Sequence, residues 1–163
     1  MDNRKRSRAF AVLAVLALAV GALLLLQRGG GGRAGTSWLL PSATLTPGVT
    51  NPDVTQATIH STICITGWTK TIRPPVDYTN RLKREQMAAW QLPGTPADYQ
   101  EDHLISLGIG GHPTDPRNLW PEPRPHAEKV DVVERDLRLR VCAGKLTLVA
   151  AQQLEVELKH ESG

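Results

Sequence analysis

An uncharged run of 18 residues, Ala9 to Leu26, follows a basic flank near the start of the chain and cannot belong to a domain core. A helix of that length spans about 27 Å, close to the hydrocarbon thickness of a membrane. A basic flank before an apolar run is also typical of a secretory signal peptide. The pattern therefore predicts that residues 1–26 are either an uncleaved membrane anchor or a cleaved signal peptide.

Both alternatives place the rest of the chain outside the cytoplasm, because basic flanks stay on the inner side of a membrane. We expect a cell-membrane protein with an extracytoplasmic domain, or a secreted protein if the segment is cleaved. Residues 27–50 begin with four glycines, lack apolar periodicity and are predicted to be a linker. The remaining residues, 51–163, are expected to form one folded domain.

The net charge of the exported part argues against a uniformly basic nucleic-acid-binding surface. The first 33 residues hold six of the 19 Lys and Arg and one of the 16 Asp and Glu, which leaves 13 against 15. Affinity for phosphate would therefore need a metal ion or a local patch. One basic cluster is present, and it is either a solvated helix face or a phosphate-facing patch: Lys70, Arg73, Arg81, Lys83 and Arg84.

Two cysteines, Cys64 and Cys142, are separated by 78 positions. An even count in an exported chain favours one disulfide, and two free buried cysteines are the alternative. A cysteine-based zinc site is not expected, because the chain contains no Cys-x-x-Cys pair.

The start of the domain admits two interpretations, a short helix from Pro52 to about Thr62 or a strand from Ile59 to Thr66. The residues before the prolines at 74 and 75 should be extended. Residues Asp77 to about Gln91 carry apolar side chains at helical spacing and predict a helix.

Most of the polar chemistry lies between Tyr99 and Lys129. The pattern predicts a strand over 99–107, a turn at Gly110-Gly111 and a second short strand over 118–120. The alternating Pro121, Pro123 and Pro125 predict an extended connection, with Pro125 at the first position of a helix that runs to about Cys142.

That helix should bury an apolar stripe formed by Val130, Val133, Leu137 and Val141. A last helix should follow from a cap at Thr147 to about Lys159, with Ala150, Leu154 and Leu158 facing inward.

In such a strand-loop-strand-helix unit, Asp102-His103 and His126 can approach one another. His126 lies four residues before Val130 and is therefore expected on the core-facing side of the first helical turn. A carboxylate and an imidazole can hold a divalent metal ion, and a second imidazole can remove a proton from water.

These residues resemble the HNH endonucleases, which have the ββα-metal fold. The similarity is carried by Asp102-His103, Gly110-Gly111, Asn118-Leu119 and a helix with a histidine, His126, in its first turn. The match is closer to small exported bacterial HNH-like proteins whose phrases are similar to DHLISL, NLWPEP and TIC…GWT…RPP of this chain. It covers about residues 50–158, and the HNH core proper covers about 99–140.

The resemblance implies an α+β, mainly helical domain with a hairpin-plus-helix core. It implies a metal-dependent endonuclease that hydrolyses phosphodiester bonds of nucleic acid, with DNA favoured over RNA and no nucleotide cofactor. His103 would be the general base and Asn118 would brace its loop. The metal, Mg²⁺ with Mn²⁺ or Zn²⁺ as alternatives, would be held by Asp102, His126 and Glu122. Phosphate contacts are expected from Arg73, Arg117, Arg124 and Lys129.

Two departures from the family pattern matter. Ser106 stands where HNH proteins often have proline, and the zinc-binding cysteine pairs of many HNH domains are absent. Two other hypotheses therefore stay open: a non-catalytic HNH-like domain used for binding or structure, and a zinc hydrolase of the cell wall that uses His103, His112 and His126. The remaining histidines, His60 and His160, are expected to have no chemical role.

Overall fold

The structure, a computed structural model, describes residues 40–162, with the side chains at 125, 128, 129 and 162 outside that description. The predicted anchor at 9–26 also lies outside it. Within the described range, none of the helices combines the length and the apolar character that crossing a membrane requires.

The described chain is a small α+β fold with four α-helices and one two-stranded sheet, which confirms the expected class. The elements in chain order are α1 (Trp68–Ile72), α2 (Val76–Ala89), β1 (Tyr99–His103), β2 (Leu119–Pro123), α3 (Arg124–Cys142) and α4 (Leu148–Ser162). Short 3-10 turns lie between them, at Ile59–Ser61, Pro96–Asp98, Leu107–Ile109 and Pro116–Asn118.

The two strands are antiparallel, with Tyr99 opposite Pro123 and His103 opposite Leu119. The second strand begins one residue later than predicted and includes Pro121 and Pro123, which the sequence pattern assigned to a connection. Prolines are tolerated there because a two-stranded sheet consists of edge strands, on which some backbone N–H groups need no ladder partner.

Helix α3 confirms the predicted helix up to Cys142, but it begins at Arg124, so that Pro125 is its second residue and not its first. Leu137 and Val141 are buried, whereas Val133 is exposed, so only the second half of the predicted stripe faces the core. Helix α4 begins after Thr147, whose hydroxyl accepts a hydrogen bond from the Ala150 N–H.

The predicted inward face of α4 is confirmed in part, because Leu154 packs against the core. Leu158 is exposed, and the buried positions are Leu148, Ala151, Gln152, Glu155 and Lys159. An apolar pattern assigns charged residues to solvent. Here the charged pair is buried because Lys159 binds the carboxylates of Asp102 and Glu134 on other elements, and Glu155 accepts from the Ser106 N–H.

The start of the domain is neither the predicted helix nor the predicted strand. Turns and the 3-10 turn Ile59–Ser61 carry Val54, Ile59 and Ile63 into the core with Leu137 and Val141. The fold also recruits residues before 51: Thr46 is fully buried, and Gly48 N–H donates to the Arg117 carbonyl. Backbone contacts of this kind leave no side-chain pattern in the sequence.

Cys64 and Cys142 form a disulfide with Cα atoms 5.6 Å apart, as the sequence predicted. The bond joins the segment before α1 to the last residue of α3. It therefore closes the core between the start of the domain and the helix that follows the hairpin.

Replacing both cysteines with alanine is expected to lower the free energy of unfolding, because the bond spans 78 residues. The chain-entropy model gives at most about 4.5 kcal/mol for a loop of that size. Urea denaturation of the full chain measures the loss, and the wild type with reductant is the control that should match the variant. Equal urea midpoints for oxidised wild type and variant would contradict the prediction.

Candidate functional site

The loop between the strands is held by the side chain of Asn118, which is fully buried. Its Nδ2 donates to the carbonyl oxygens of Ile105 and His112, each at 3.0 Å. Its Oδ1 accepts from the N–H groups of Ile105 at 3.0 Å and Val49 at 3.3 Å. One amide thus satisfies four backbone groups and fixes both ends of the loop that follows His103.

Gly111 is required where this loop closes on itself. A Cβ atom at this position would lie 1.7 Å from the carbonyl oxygen of Ile105 and 2.9 Å from the Asn118 Nδ2. The preceding Gly110 has a positive φ of 81°, which L side chains rarely adopt. The Gly-Gly pair in the sequence therefore reflects a close approach of backbone to backbone.

Gly111→Ala is expected to destabilise the domain by about 3 kcal/mol or more, because the methyl group overlaps backbone that Asn118 holds in place. Gly108→Ala in the same loop is the matched control, since its Cβ would meet the flexible Arg138 side chain at 3.4 Å. Chemical denaturation of both variants measures the difference, and equal stabilities would refute the close-approach argument.

His103 lies at the end of β1, and its side chain turns back to the loop. Its Nε2 is 3.0 Å from the carbonyl oxygen of Pro113. A carbonyl only accepts, so Nε2 carries the hydrogen, and in the neutral ring Nδ1 is the acceptor. Burial is the main cause that lowers the pKa of His103 below its usual value, with a contribution from Arg73. The imidazole is therefore neutral at physiological pH.

Asp102 points away from His103, because adjacent residues of a strand face opposite sides of the sheet. Its Oδ2 is 3.3 Å from Nζ of Lys159, and the same ammonium donates to the His103 carbonyl and to Oε1 of Glu134, each at 2.7 Å. Glu155 Oε1 lies 3.8 Å from Nζ. Burial opposes ionisation of Asp102, but the Lys159 ammonium holds the pKa of this carboxyl below its usual range.

Glu122 and His126 are in contact, as a helix that begins directly after β2 allows. His126 Nδ1 is 2.5 Å from Glu122 Oε1, and Glu122 is fully buried. Burial and then the nearby charge of Asp102 raise the pKa of Glu122 to about 9. At neutral pH this carboxyl is therefore protonated.

The three predicted metal ligands are neighbours, but they do not fit a divalent metal centre. Asp102 is bound to the Lys159 ammonium, and His126 Nδ1 is directed at Glu122 Oε1. Within residues 40–162, no three His, Cys, Asp or Glu side chains form a group that could hold a metal ion. The trio His103, His112 and His126 of the zinc-hydrolase hypothesis is not brought together in this range either.

His112 and His160 have structural contacts. Nδ1 of His112 accepts from the N–H groups of Thr114 and Asp115, at 3.2 and 3.0 Å. His160 Nε2 lies 3.2 Å from the Thr46 carbonyl. These bonds stabilise the loop and the early part of the domain.

The four predicted phosphate contacts lie in different surroundings. Arg117 is engaged by Asp115, with Nη2 and Oδ2 2.7 Å apart, and Arg124 Nε donates to the Ala97 carbonyl at 2.7 Å. The side chain of Lys129 lies outside the description. Arg73 lines a cleft of about 190 Å³.

That cleft, termed here the arginine cleft, lies between α1, the loop and α3. Arg135 and Arg138 also line it, together with Asp131 and Glu134. Its remaining lining residues are Thr69, Ser106, Leu107 and Gly108. Arg138 Nε donates to the Ile63 carbonyl at 2.8 Å, and Glu134 is paired with Lys159. Three arginines against two acidic residues make the lining locally basic on a domain whose net charge is negative.

Sequence reasoning missed the residues that connect this site to α4, which are Glu134, Glu155 and Lys159, and the cleft residues Arg135 and Arg138. A signal was present, since Glu155 and Lys159 are four residues apart and so lie on one helix face. Such pairs usually lie on solvated faces, and only the three-dimensional arrangement shows that this pair is buried.

Ser106, a departure from the proline that the resemblance would lead one to expect, has a backbone that proline could also adopt. Its φ is −62°, close to the value that a proline ring imposes. Its N–H donates to Glu155 Oε2 at 2.9 Å, a bond that proline cannot make. The serine therefore has a backbone angle that proline could adopt, and it supplies a hydrogen bond to α4.

The raised pKa of Glu122 predicts a loss of stability in alkaline solution. A carboxyl whose pKa is raised by folding contributes stability below its ordinary value of 4.5, and loses it as the pH rises toward about 9. The slope is at most about 1.4 kcal/mol per pH unit. In Glu122→Gln, which does not titrate, the unfolding free energy should fall less between pH 6 and 9.

Denaturant titrations across that pH range provide the measurement. Glu157→Gln on the exposed side of α4 is the matched control and should follow the wild type. Parallel pH profiles for wild type and Glu122→Gln would show that Glu122 is ionised in the folded protein.

Comparison with protein-family models, characterised proteins and solved structures found no match to this chain.

Proposed function

We propose that the domain is an HNH-like phosphodiester hydrolase that cleaves nucleic acid, DNA in preference to RNA, at His103 beside the arginine cleft. The order β1, loop, β2, α3 agrees with the ββα core that the resemblance implies. The observation that carries the proposal is the state of His103: a neutral ring, fixed at Nε2 by the Pro113 carbonyl, in a loop braced by Asn118.

In this proposal Nδ1 of His103 accepts a proton from a water molecule. The resulting hydroxide attacks phosphorus, the bond from phosphorus to the leaving oxygen breaks, and its electron pair stays on that oxygen. Arg73, Arg135 and Arg138 bind the phosphate and neutralise the charge that grows on its oxygens. Asn118 is a positioning residue, because it contacts the loop and not the substrate.

The resemblance also implies a divalent metal ion. Because Asp102, Glu122 and His126 do not fit such a centre, no step is assigned to a metal here. The guanidinium groups of the arginine cleft supply positive charge in its place. The membrane segment at 9–26 and an extracytoplasmic location remain predictions from the sequence.

A second candidate is a domain that binds nucleic acid without cleaving it. His103 is only 6 % exposed and does not line the arginine cleft itself. Binding at the arginines does not require a water molecule at His103, so this observation favours the non-catalytic alternative.

Incubation of the full chain with supercoiled plasmid, with Mg²⁺, with Mn²⁺ and with EDTA, tests the proposal. His103→Ala should lower the cleavage rate by about a hundredfold or more, the usual contribution of a general base. His60→Ala is the matched control, because His60 is exposed and lies outside the site. Arg135→Gln should weaken both binding and cleavage, whereas Arg140→Gln on the same helix should not.

Each alternative has a distinct outcome. An intact plasmid in all conditions, with the protein folded by circular dichroism, rejects hydrolysis of DNA. If the plasmid is bound but uncut, and Arg135→Gln loses the binding while Arg140→Gln keeps it, the result supports the non-catalytic candidate. Cleavage that His103→Ala leaves unchanged would exclude His103 as the base.

A further inference from the structure

The buried ammonium of Lys159 has a complete set of oxygen partners. Its three hydrogens are matched by three acceptors: the His103 carbonyl and Glu134 Oε1 at 2.7 Å, and Asp102 Oδ2 at 3.3 Å. Glu155 Oε1 at 3.8 Å adds a fourth oxygen nearby. The Lys159 side chain is 1 % exposed, so these contacts are buried.

These oxygens are the hard ligands that Mg²⁺ and Mn²⁺ prefer. They come from the strand residue that the resemblance assigns to the metal, Asp102, and from the helix after the hairpin, through Glu134. The group that joins them in this chain is a lysine from α4. A second cation at the same point would meet the fixed charge of Lys159 at short range, where repulsion is large.

The ammonium is held in place by the rest of α4. Leu148 and Ala151 on the same helix face are buried in the core, and Gln152 Nε2 donates to the Ile109 carbonyl at 2.9 Å. Glu155 accepts from the Ser106 N–H, one turn before Lys159. The helix thus docks on the loop through several contacts, and Lys159 cannot withdraw without exposing them.

We propose that Lys159 is a built-in cation that occupies the oxygen cluster of Asp102, Glu134 and the His103 carbonyl, so that the carboxylates of Asp102 and Glu134 bind no Mg²⁺ or Mn²⁺. The inference concerns the same site as the proposed hydrolysis, but it is a statement about cation binding. It can hold or fail whether or not the domain cleaves nucleic acid.

Titration of the full chain with Mn²⁺, followed by electron paramagnetic resonance of the free ion, tests the inference without any activity assay. The wild type should show no saturable Mn²⁺ site that Asp102→Asn or Glu134→Gln removes. Lys159→Met should bind Mn²⁺ at least about tenfold more tightly than the wild type. The double variant Lys159→Met with Glu134→Gln should lose that gain.

Lys145→Met, at an exposed lysine in the turn before α4, is the matched control and should behave as wild type. A saturable wild-type site that is lost in Asp102→Asn overturns the inference. A folded Lys159→Met protein with no gain in Mn²⁺ binding also overturns it, because the ammonium would then not stand in a metal position. If Lys159→Met does not fold, the wild type and its two carboxylate variants decide the question.

Discussion

Four hydrogen bonds to one buried side-chain amide fix the conformation of the loop between β1 and β2. Asn118 ties together the backbone at Ile105 and His112, just after β1 and at the far side of the turn, and it also holds Val49. Without these bonds the backbone groups would be buried and unpaired, each at a cost of about 1–3 kcal/mol. The position of the His103 imidazole, which is bound to the Pro113 carbonyl of the same loop, depends on them.

A second constraint acts from the other side of the sheet. The Lys159 ammonium binds the carbonyl of His103 as well as the carboxylates of Asp102 and Glu134. Helix α4 is therefore fixed to the end of β1 by charge, while the core residues on its inner face fix it by packing. The loop and helix α4 therefore both bind His103 at the end of β1, the loop through the imidazole and the helix through the carbonyl oxygen.

The sequence predicted the structure correctly where a residue type has one main structural role, such as cysteine in a disulfide or glycine in a tight turn. The disulfide between Cys64 and Cys142, the Gly110-Gly111 turn and helix α3 with proline in its first turn are of this kind. The sequence did not predict the positions where charged side chains are buried. Glu155 and Lys159 look like a surface pair, and only contacts with distant parts of the chain make their burial favourable.

Local patterns also failed where the structure rests on backbone bonds or very short elements. Helix α1 has five residues, too few for a period to be seen, and the segment at 46–50 is held mainly by backbone hydrogen bonds. For the candidate site, the pattern identified His103, Asp102 and Asn118. The cation that Asp102 binds comes from α4, more than 50 residues later, and no local pattern connects them.

Ser106 has a consequence for how a chain of this kind can change over time. Its N–H is the donor for the buried Glu155 carboxyl, which shares the Lys159 ammonium with the site. A mutation of Ser106 to proline would preserve the turn but would remove the donor to the Glu155 carboxyl. The same mutation would cost no hydrogen bond if position 155 held an apolar residue. Positions 106, 155 and 159 are therefore physically coupled, and a substitution at one of them changes the hydrogen bonding or charge balance at the other two.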